Sequence, residues 1–167
     1  KAYPHEVHLT VGLTSFEHKG DVRYGVASHF LCHLADASTP IPLYVQPSPH
    51  FTLPEDSKVP IIMVGPGTGV APFRAFLQER VETKALGKNW LFFGERNRHL
   101  DFFYQEFWYD LVHQDKLILD AAFSRDQEEK IYVHHKMREK GALLWQWLQE
   151  GAYFYVCGEA DRMAKEV

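Results

Sequence analysis

From Pro60 onward, apolar residues fall into two alternating patterns along the chain. Ile61–Val64, Trp90–Phe93, Leu117–Phe123 and Tyr153–Cys157 are short, dense apolar runs, as expected of strands buried on both faces. Between them the apolar positions spread to helical spacing. Phe73, Phe76, Leu77 and Val81 form one such stripe, closing at Gly87; Phe103, Phe107 and Leu111 mark a second. Leu144, Trp147 and Leu148 mark a third, ending near Gly151, and Asp161–Val167 reads as the start of a further helix. Strands separated by helices of this length predict βαβ units and a mainly parallel sheet. The expected fold class is α/β, a Rossmann-like parallel five-stranded sheet flanked by helices.

The first 50 residues have a different, β-rich texture. Val7, Leu9, Val11 and Leu13 alternate with polar residues, the period of a half-buried strand. Gly20-Asp21 reads as a turn into Val22–Tyr24, and Val26, Phe30, Leu31 and Leu34 predict a short helix starting near Gly25. Prolines at 40, 42, 47 and 49 bracket Leu43–Gln46, which predicts a short edge strand. The polar, proline-flanked stretch 51–60 reads as a linker, dividing a domain piece at 1–50 from a domain at 61–167.

Composition narrows the function class. With 46% hydrophobic and 24% charged residues the 167-residue chain is an ordinary globular one. A net charge of -4 offers no basic excess for a broad nucleic-acid face, and no apolar run approaches the roughly 20 residues needed to span a bilayer. Cys32 and Cys157 are too few for a disulfide framework and suit a reducing, cytoplasmic setting.

The candidate chemistry lies at the ends of the expected strands. In an open α/β sheet, ligands bind outside the carboxyl ends, near the point where strand order reverses. The four runs end in Gly65–Gly69, in Gly94-Glu95-Arg96, in Ser124-Arg125 and in Cys157-Gly158-Glu159. A glycine-rich strand-to-helix turn lets the backbone approach a pyrophosphate. It is no Walker loop, because Val70 and Ala71 stand where lysine and hydroxyl would be; a tight turn without a ligand is the alternative. Ser124 and Arg125, with Lys130 and Tyr132, could hold a dianionic phosphate and stack an adenine. The alternative is a solvated loop, since Asp126, Glu128 and Glu129 lie among the cations. Cys157 is either core packing or a thiol beside a reacting ring. The ten histidines show no ligand spacing with cysteine or carboxylate, and no G-x-S-x-G elbow occurs, so neither a metal site nor a serine hydrolase is expected.

Four segments make a resemblance specific: Ile61–Arg80 (IIMVGPGTGVAPFRAFLQER), Lys88–Gly94, Ser124–Val133 (SRDQEEKIYV) and Tyr155–Val167 (YVCGEADRMAKEV). They resemble the NADP-binding module of the diflavin reductases, in the ferredoxin–NADP reductase-like superfamily. Within it the chain is most similar to the sulfite reductase flavoprotein branch, with NADPH–haemoprotein (cytochrome) reductases next. The resemblance implies hydride transfer from NADPH to FAD, then single electrons through FMN to a haemoprotein. The implied partners are an FMN-binding flavodoxin-like domain and a haemoprotein acceptor, that of sulfite reductase for this branch; neither nucleic acid nor membrane is implied. It further implies that residues 1–50 are the β-rich tail of an FAD-binding barrel domain. Thr10, Val11 and Gly12, with Gly25, Val26, Ala27 and Ser28, would contact FAD, the second group as a helix start on its pyrophosphate. Gly67, Thr68 and Gly69 would face the NADPH pyrophosphate. Ser124, Arg125, Lys130, Ile131, Tyr132, Val133 and His134 would hold the 2′-phosphate and adenosine. Glu166 matches an acidic position of the same site, and Cys157 would be the catalytic thiol beside the nicotinamide. No metal is implied. The chain departs from the family pattern at His134, where glutamine is usual, at Glu159 and Glu166, where aspartate is, and at Phe16, where this branch tends to carry tyrosine. The flavin-gripping segments would lie outside this chain, so by itself it is expected to lack reductase activity. A nucleotide-binding domain that keeps the fold without catalysis is the rival reading.

Overall fold

The computed structural model describes residues 3–158 and Val167, which fall into two compact units, His8–Thr52 and the remaining described residues.

In the smaller unit, β1 (Ser15–His18) and β2 (Asp21–Tyr24) form an antiparallel hairpin. Lys19 and Gly20, both at positive φ (53° and 85°), make its two-residue turn, the geometry whose twist matches that of paired strands. Helix α1 (Val26–His29) follows and runs on as a wide turn over Phe30–Leu34, so the helix expected near Gly25 is present. Two expectations fail. The alternating stretch Val7–Leu13 has no regular secondary structure and pairs with no strand among the described residues, and Val7 and Leu9 are exposed. Leu43–Gln46 likewise forms no strand, its Leu43, Tyr44 and Val45 lying exposed. Alternation specifies which face would be buried, but a strand also needs a neighbouring ladder to satisfy its N–H and C=O groups. The described residues supply none, so the hairpin is the one strand pairing of this unit among them, and the expected barrel tail is not seen.

The larger unit is a parallel sheet of β3 (Ile61–Pro66), β4 (Asn89–Glu95), β5 (Ile118–Phe123) and β6 (Tyr153–Val156), in the order β5-β4-β3-β6. All three pairings are parallel. Among the described residues the sheet has four strands, not the five expected; the helix read from Asp161 falls outside them. Helices α2 (Ala71–Glu82), the short α3 (Arg98–Asp101), α4 (Gln105–His113), α5 (Val133–Glu139) and α6 (Gly141–Gln149) fill the crossovers.

The central strands β3 and β4 are buried on both faces, which explains their unbroken apolar runs, whereas the edge strands β5 and β6 leave Ile118, Tyr153 and Phe154 exposed. Ile62, Val64, Trp90 and Phe92 pack on one face with Val133, Met137 and Trp147 of α5 and α6. The ring centroids of Trp90 and Trp147 are 5.2 Å apart, edge to face, and Trp90 Nε1 donates to the Asp120 carboxylate at 2.8 Å. On the other face Phe73 lies against Gly65, and Phe93 packs with Phe102 and Phe123. At the amino end of the sheet, buried Arg80 of α2 donates through one nitrogen to the carbonyls of Val59 at 3.1 Å and Gly87 at 2.8 Å, with Ser57 at 3.5 Å. That cation ties the segment entering β3 to the loop entering β4. Burial pushes its pKa down from the arginine value.

Candidate functional site: a cleft at the carboxyl edge of the sheet

The chain runs β3 to β4 to β5 in one direction and then crosses back to place β6 on the far side of β3. Strand order therefore reverses between β3 and β6, where an α/β sheet opens a crevice at its carboxyl edge. Two glycines shape the crevice. Gly67 takes φ +57°, a left-handed conformation that opens the turn after β3. Gly69 lies so close to the Cys157 carbonyl group and the Gly158 Cα that a Cβ would overlap backbone. The turn over Gly67–Val70 and the exit of β6 are thus in backbone contact. Cys157 N–H donates to the Val64 carbonyl at 2.9 Å, the last rung holding that exit. The Cys157 thiol is half-buried, and burial pushes its pKa up. It is a neutral thiol at neutral pH rather than a thiolate nucleophile.

Beside this crevice, across the exits of β3, β4 and β5, lies a cleft of about 670 Å³, within the usual size of small-molecule sites. Pro66 and Gly67 form one wall, and Gly94, Glu95 and Arg96 the floor. Ser124, Arg125 and Lys130–His134 form the far side, and Val167 also lines it. The exits are held in register beyond the strands, because Ser124 N–H donates to the Glu95 carbonyl at 2.9 Å and Arg125 N–H to that of Arg96 at 2.8 Å. Gln127 Nε2 ties the next turn to the Phe123 carbonyl at 2.7 Å. Val133, buried against the sheet, anchors the loop that carries Lys130, Ile131 and Tyr132.

Among the described residues, three cations, Arg96, Arg125 and Lys130, line the cleft with one acidic side chain, Glu95. Glu95 Oε2 is turned onto the Arg96 N–H at 2.6 Å. Asp126, which the sequence sets beside Arg125, faces away; it accepts from Asn97 Nδ2 at 3.3 Å and Arg98 N–H at 3.2 Å. Among the described residues neither Arg125 nor Lys130 is in an ion pair. The structure thus gathers Gly67, Ser124, Arg125, Lys130, Ile131, Tyr132, Val133 and His134 at one cleft, and sets Gly69 and Cys157 together at the neighbouring crevice. Thr68 lies in the turn between. Glu166 lies outside the described residues. Thr10–Gly12 and Gly25–Ser28 belong to the smaller unit. There, Gly25 N–H donates to the Thr14 carbonyl at 2.9 Å, and the Ser28 hydroxyl donates to the Gly25 carbonyl and accepts from Thr14 N–H, both at 3.2 Å. Arg96 was not among the expected site residues, although its position after an apolar strand, level with Gly65–Gly69 and Ser124-Arg125, was the signal available.

A parallel sheet with a glycine turn at its switch point and a cation-lined cleft across its exits defines a dinucleotide-binding α/β domain. The oxidoreductase NAD-binding domain family model matches residues 63–167, and the chain belongs to that family. It is 56% identical over 163 residues to the sulfite reductase (NADPH) flavoprotein alpha-component of Shewanella sp. (strain ANA-3), covering 97% of this chain and 27% of that protein. To the protein of the same name from Vibrio cholerae serotype O1 (strain ATCC 39315 / El Tor Inaba N16961) it is 55% identical, covering 97% of this chain and 26% of the relative. To that of Mannheimia succiniciproducens it is 54% identical over 97% of this chain and 27% of the relative. The chain thus spans about a quarter of the length of the curated relatives it matches. No helix among the described residues is long and apolar enough to cross a membrane.

Proposed function

We propose that this chain carries the NADPH-binding domain of a flavoprotein reductase of the sulfite reductase type, preceded by a part of its FAD-binding domain. The observation that carries the reading is the uncompensated pair Arg125 and Lys130, beside Ser124 and Tyr132, at the β5 exit. NADPH differs from NADH only by a 2′-phosphate, and a guanidinium, an ammonium and a hydroxyl are the groups that hold a compact dianion. Tyr132, 42% exposed at the cleft and stacked on one side by His135, offers an aromatic ring to the adenine. Gly67–Gly69 leaves room for the pyrophosphate, and the crevice by Cys157 takes the nicotinamide.

Bound in the parent protein, FAD would supply the capacity to take up a hydride from NADPH and to release the two electrons singly. The work of this chain is to bind and orient. Arg125 and Lys130 would hold the adenosine end, Gly69 would leave the backbone open to the nicotinamide, and Cys157 would meet it as a neutral thiol. Thr10–Gly12 and Gly25–Ser28 are the segments offered to FAD. In the parent protein an FMN-binding flavodoxin-like domain would pass the electrons to a haemoprotein, that of sulfite reductase, in the cytoplasm; two unbridged cysteines fit that compartment.

The NADPH assignment is tested by calorimetric titration with 2′-phospho-AMP and AMP. Arg125→Ala should weaken 2′-phospho-AMP about 10-fold, the low end for a charge-assisted bond at an exposed site. AMP, which never uses the contact, should be nearly unaffected. Equal loss for both ligands would remove the assignment. The acceptor is tested in the full-length protein, by comparing NADPH-driven reduction of sulfite reductase haemoprotein with that of cytochrome c; preference for cytochrome c would favour the other haemoprotein reductases.

A further inference from the structure

Glu95 is the one acidic side chain lining the cleft among the described residues, and its half-exposed carboxylate is held in place. Oε2 accepts the backbone N–H of Arg96 at 2.6 Å, a short charge-assisted bond. Oε1 lies toward the glycine turn, 3.4 Å from the point a Gly67 Cβ would occupy. An ionised carboxylate accepts on both oxygens. Oε1 therefore keeps its capacity for a donor that enters the cleft.

The place of Glu95 in the sheet indicates what that donor is. The three exits along the cleft lie in the order β3, β4, β5. Pro66 is level with Gly94 and Glu95 with Phe123, so Gly67, Glu95 and Ser124 follow one another across the cleft. The Ser124 N–H on the Glu95 carbonyl at 2.9 Å fixes the last step. Neighbouring strands are about 4.8 Å apart, which sets the glycine turn and the β5 exit roughly 10 Å apart with Glu95 between them. A nucleotide with its 5′-phosphate at the turn and its 2′-phosphate by Ser124 and Arg125 must lay the sugar that joins them over β4. The hydroxyl that sugar still has to donate is the 3′-hydroxyl, because the 2′-oxygen carries the phosphate. Arg96, Arg125 and Lys130 in the same cleft offset the like charge of a carboxylate set between two phosphates.

We propose that Glu95 is a specificity residue for the sugar, its Oε1 accepting the 3′-hydroxyl of the adenosine while Oε2 stays on the Arg96 N–H. The inference rests on the NADPH reading above, which sets the two phosphates to either side of it. It gives the β4 exit to the ribose rather than to either phosphate. A ligand without the 3′-hydroxyl leaves a charged acceptor facing the sugar with no donor, and a site built to bond a hydroxyl discriminates most against the analogue that lacks it.

The test is calorimetric titration of the full chain with AMP, 3′-deoxy-AMP and 2′-deoxy-AMP, for the wild type, Glu95→Ala and Glu95→Gln. The wild type should bind AMP roughly 10-fold tighter than 3′-deoxy-AMP, the low end for a hydrogen bond to a charged group at a half-exposed site. In Glu95→Ala that ratio should collapse to within about 2-fold, and in Glu95→Gln, which keeps an uncharged partner, it should lie between. The ratio of AMP to 2′-deoxy-AMP should stay the same in both variants, since the 2′-oxygen faces Ser124 and Arg125. Using ratios cancels whatever the substitution does to all three ligands alike, by removing a like charge or by loosening the Arg96 loop. A 3′-deoxy ratio near unity in the wild type, or one that survives in Glu95→Ala, would overturn the inference. So would a change of equal size in the 2′-deoxy ratio. Titration of the wild type with 2′-phospho-AMP keeps the NADPH reading separate: no preference for it over AMP would sink that reading, whatever the 3′-deoxy ratio shows.

Discussion

Replacing Gly69 by alanine adds a single methyl group at the most crowded point of the carboxyl edge. The new Cβ would overlap the Cys157 carbonyl oxygen, lie 2.8 Å from its carbon and stand 3.3 Å from the Gly158 Cα. Every one of these atoms is main chain, so no side chain can swing aside, and the two exits must separate instead. Overpacking of this kind costs about 1–3 kcal/mol. Separation also loosens the Cys157 N–H bond to Val64, 2.9 Å long, worth about 1 kcal/mol more. The sum is about 2–4 kcal/mol. At roughly 4 °C per kcal/mol for a domain of this size, the midpoint of thermal unfolding should fall by about 8–16 °C. Circular dichroism melts of the wild type and Gly69→Ala measure it. Gly67→Ala is the control, since its added atom would meet only the flexible Glu95 side chain at 3.4 Å. It should lose only about 1–2 kcal/mol, for the left-handed φ. If Gly69→Ala melts within about 2 °C of the wild type, or loses less than Gly67→Ala, the backbone contact between the exits is not a constraint on the fold.

Arg80→Ala should cost about 3 kcal/mol or more, because the Val59 and Gly87 carbonyls lose a buried charged donor; urea unfolding at constant m-value measures it. In the full-length protein, Cys157→Ser should slow flavin reduction by NADPH about 10-fold, or about 1.4 kcal/mol of barrier, with little change in cofactor affinity. An unchanged stopped-flow rate would return Cys157 to core packing. Burial raises the pKa of both Cys157 and Tyr155 in the folded chain. Above their ordinary values of 9.0 and 10.0 the unfolded chain therefore binds fewer protons than the folded one, so stability should decline as pH rises through that range. Urea midpoints that stay level from about pH 8 to 11 would contradict this.

How much of this was legible in the sequence differs between the two units. In the larger one, burial on both faces leaves Ile61–Val64 and Trp90–Phe93 unbroken by polar residues, and the same burial makes each exit abrupt. Gly67, Ser124 and Arg125 could thus be named as edge residues before any coordinates. What the chain could not show was which charges compensate which. Asp126 reads as a neighbour of Arg125, yet a turn sends its carboxylate to Asn97 and Arg98. Arg96 reads as one more surface cation, yet the parallel register brings it level with Arg125. The smaller unit misled for a different reason. Val7–Leu13 and Leu43–Gln46 carry strand-like patterns, but pattern is a property of one segment and pairing a property of two.

The Arg80 clamp has a consequence for how the domain moves. Its hydrogen bonds close the amino end of the sheet, joined by Ile61 N–H to the Lys88 carbonyl and Gly87 N–H to that of Ser57, each at 2.9 Å. Opening that end means releasing several bonds at once, so its amides should exchange with solvent only through large-scale opening. At the other end, turns and loops carry the cleft. The amides that should exchange through that large-scale opening therefore lie at the end of the sheet opposite the cleft. A dinucleotide can settle among the exits while the frame beneath them stays still.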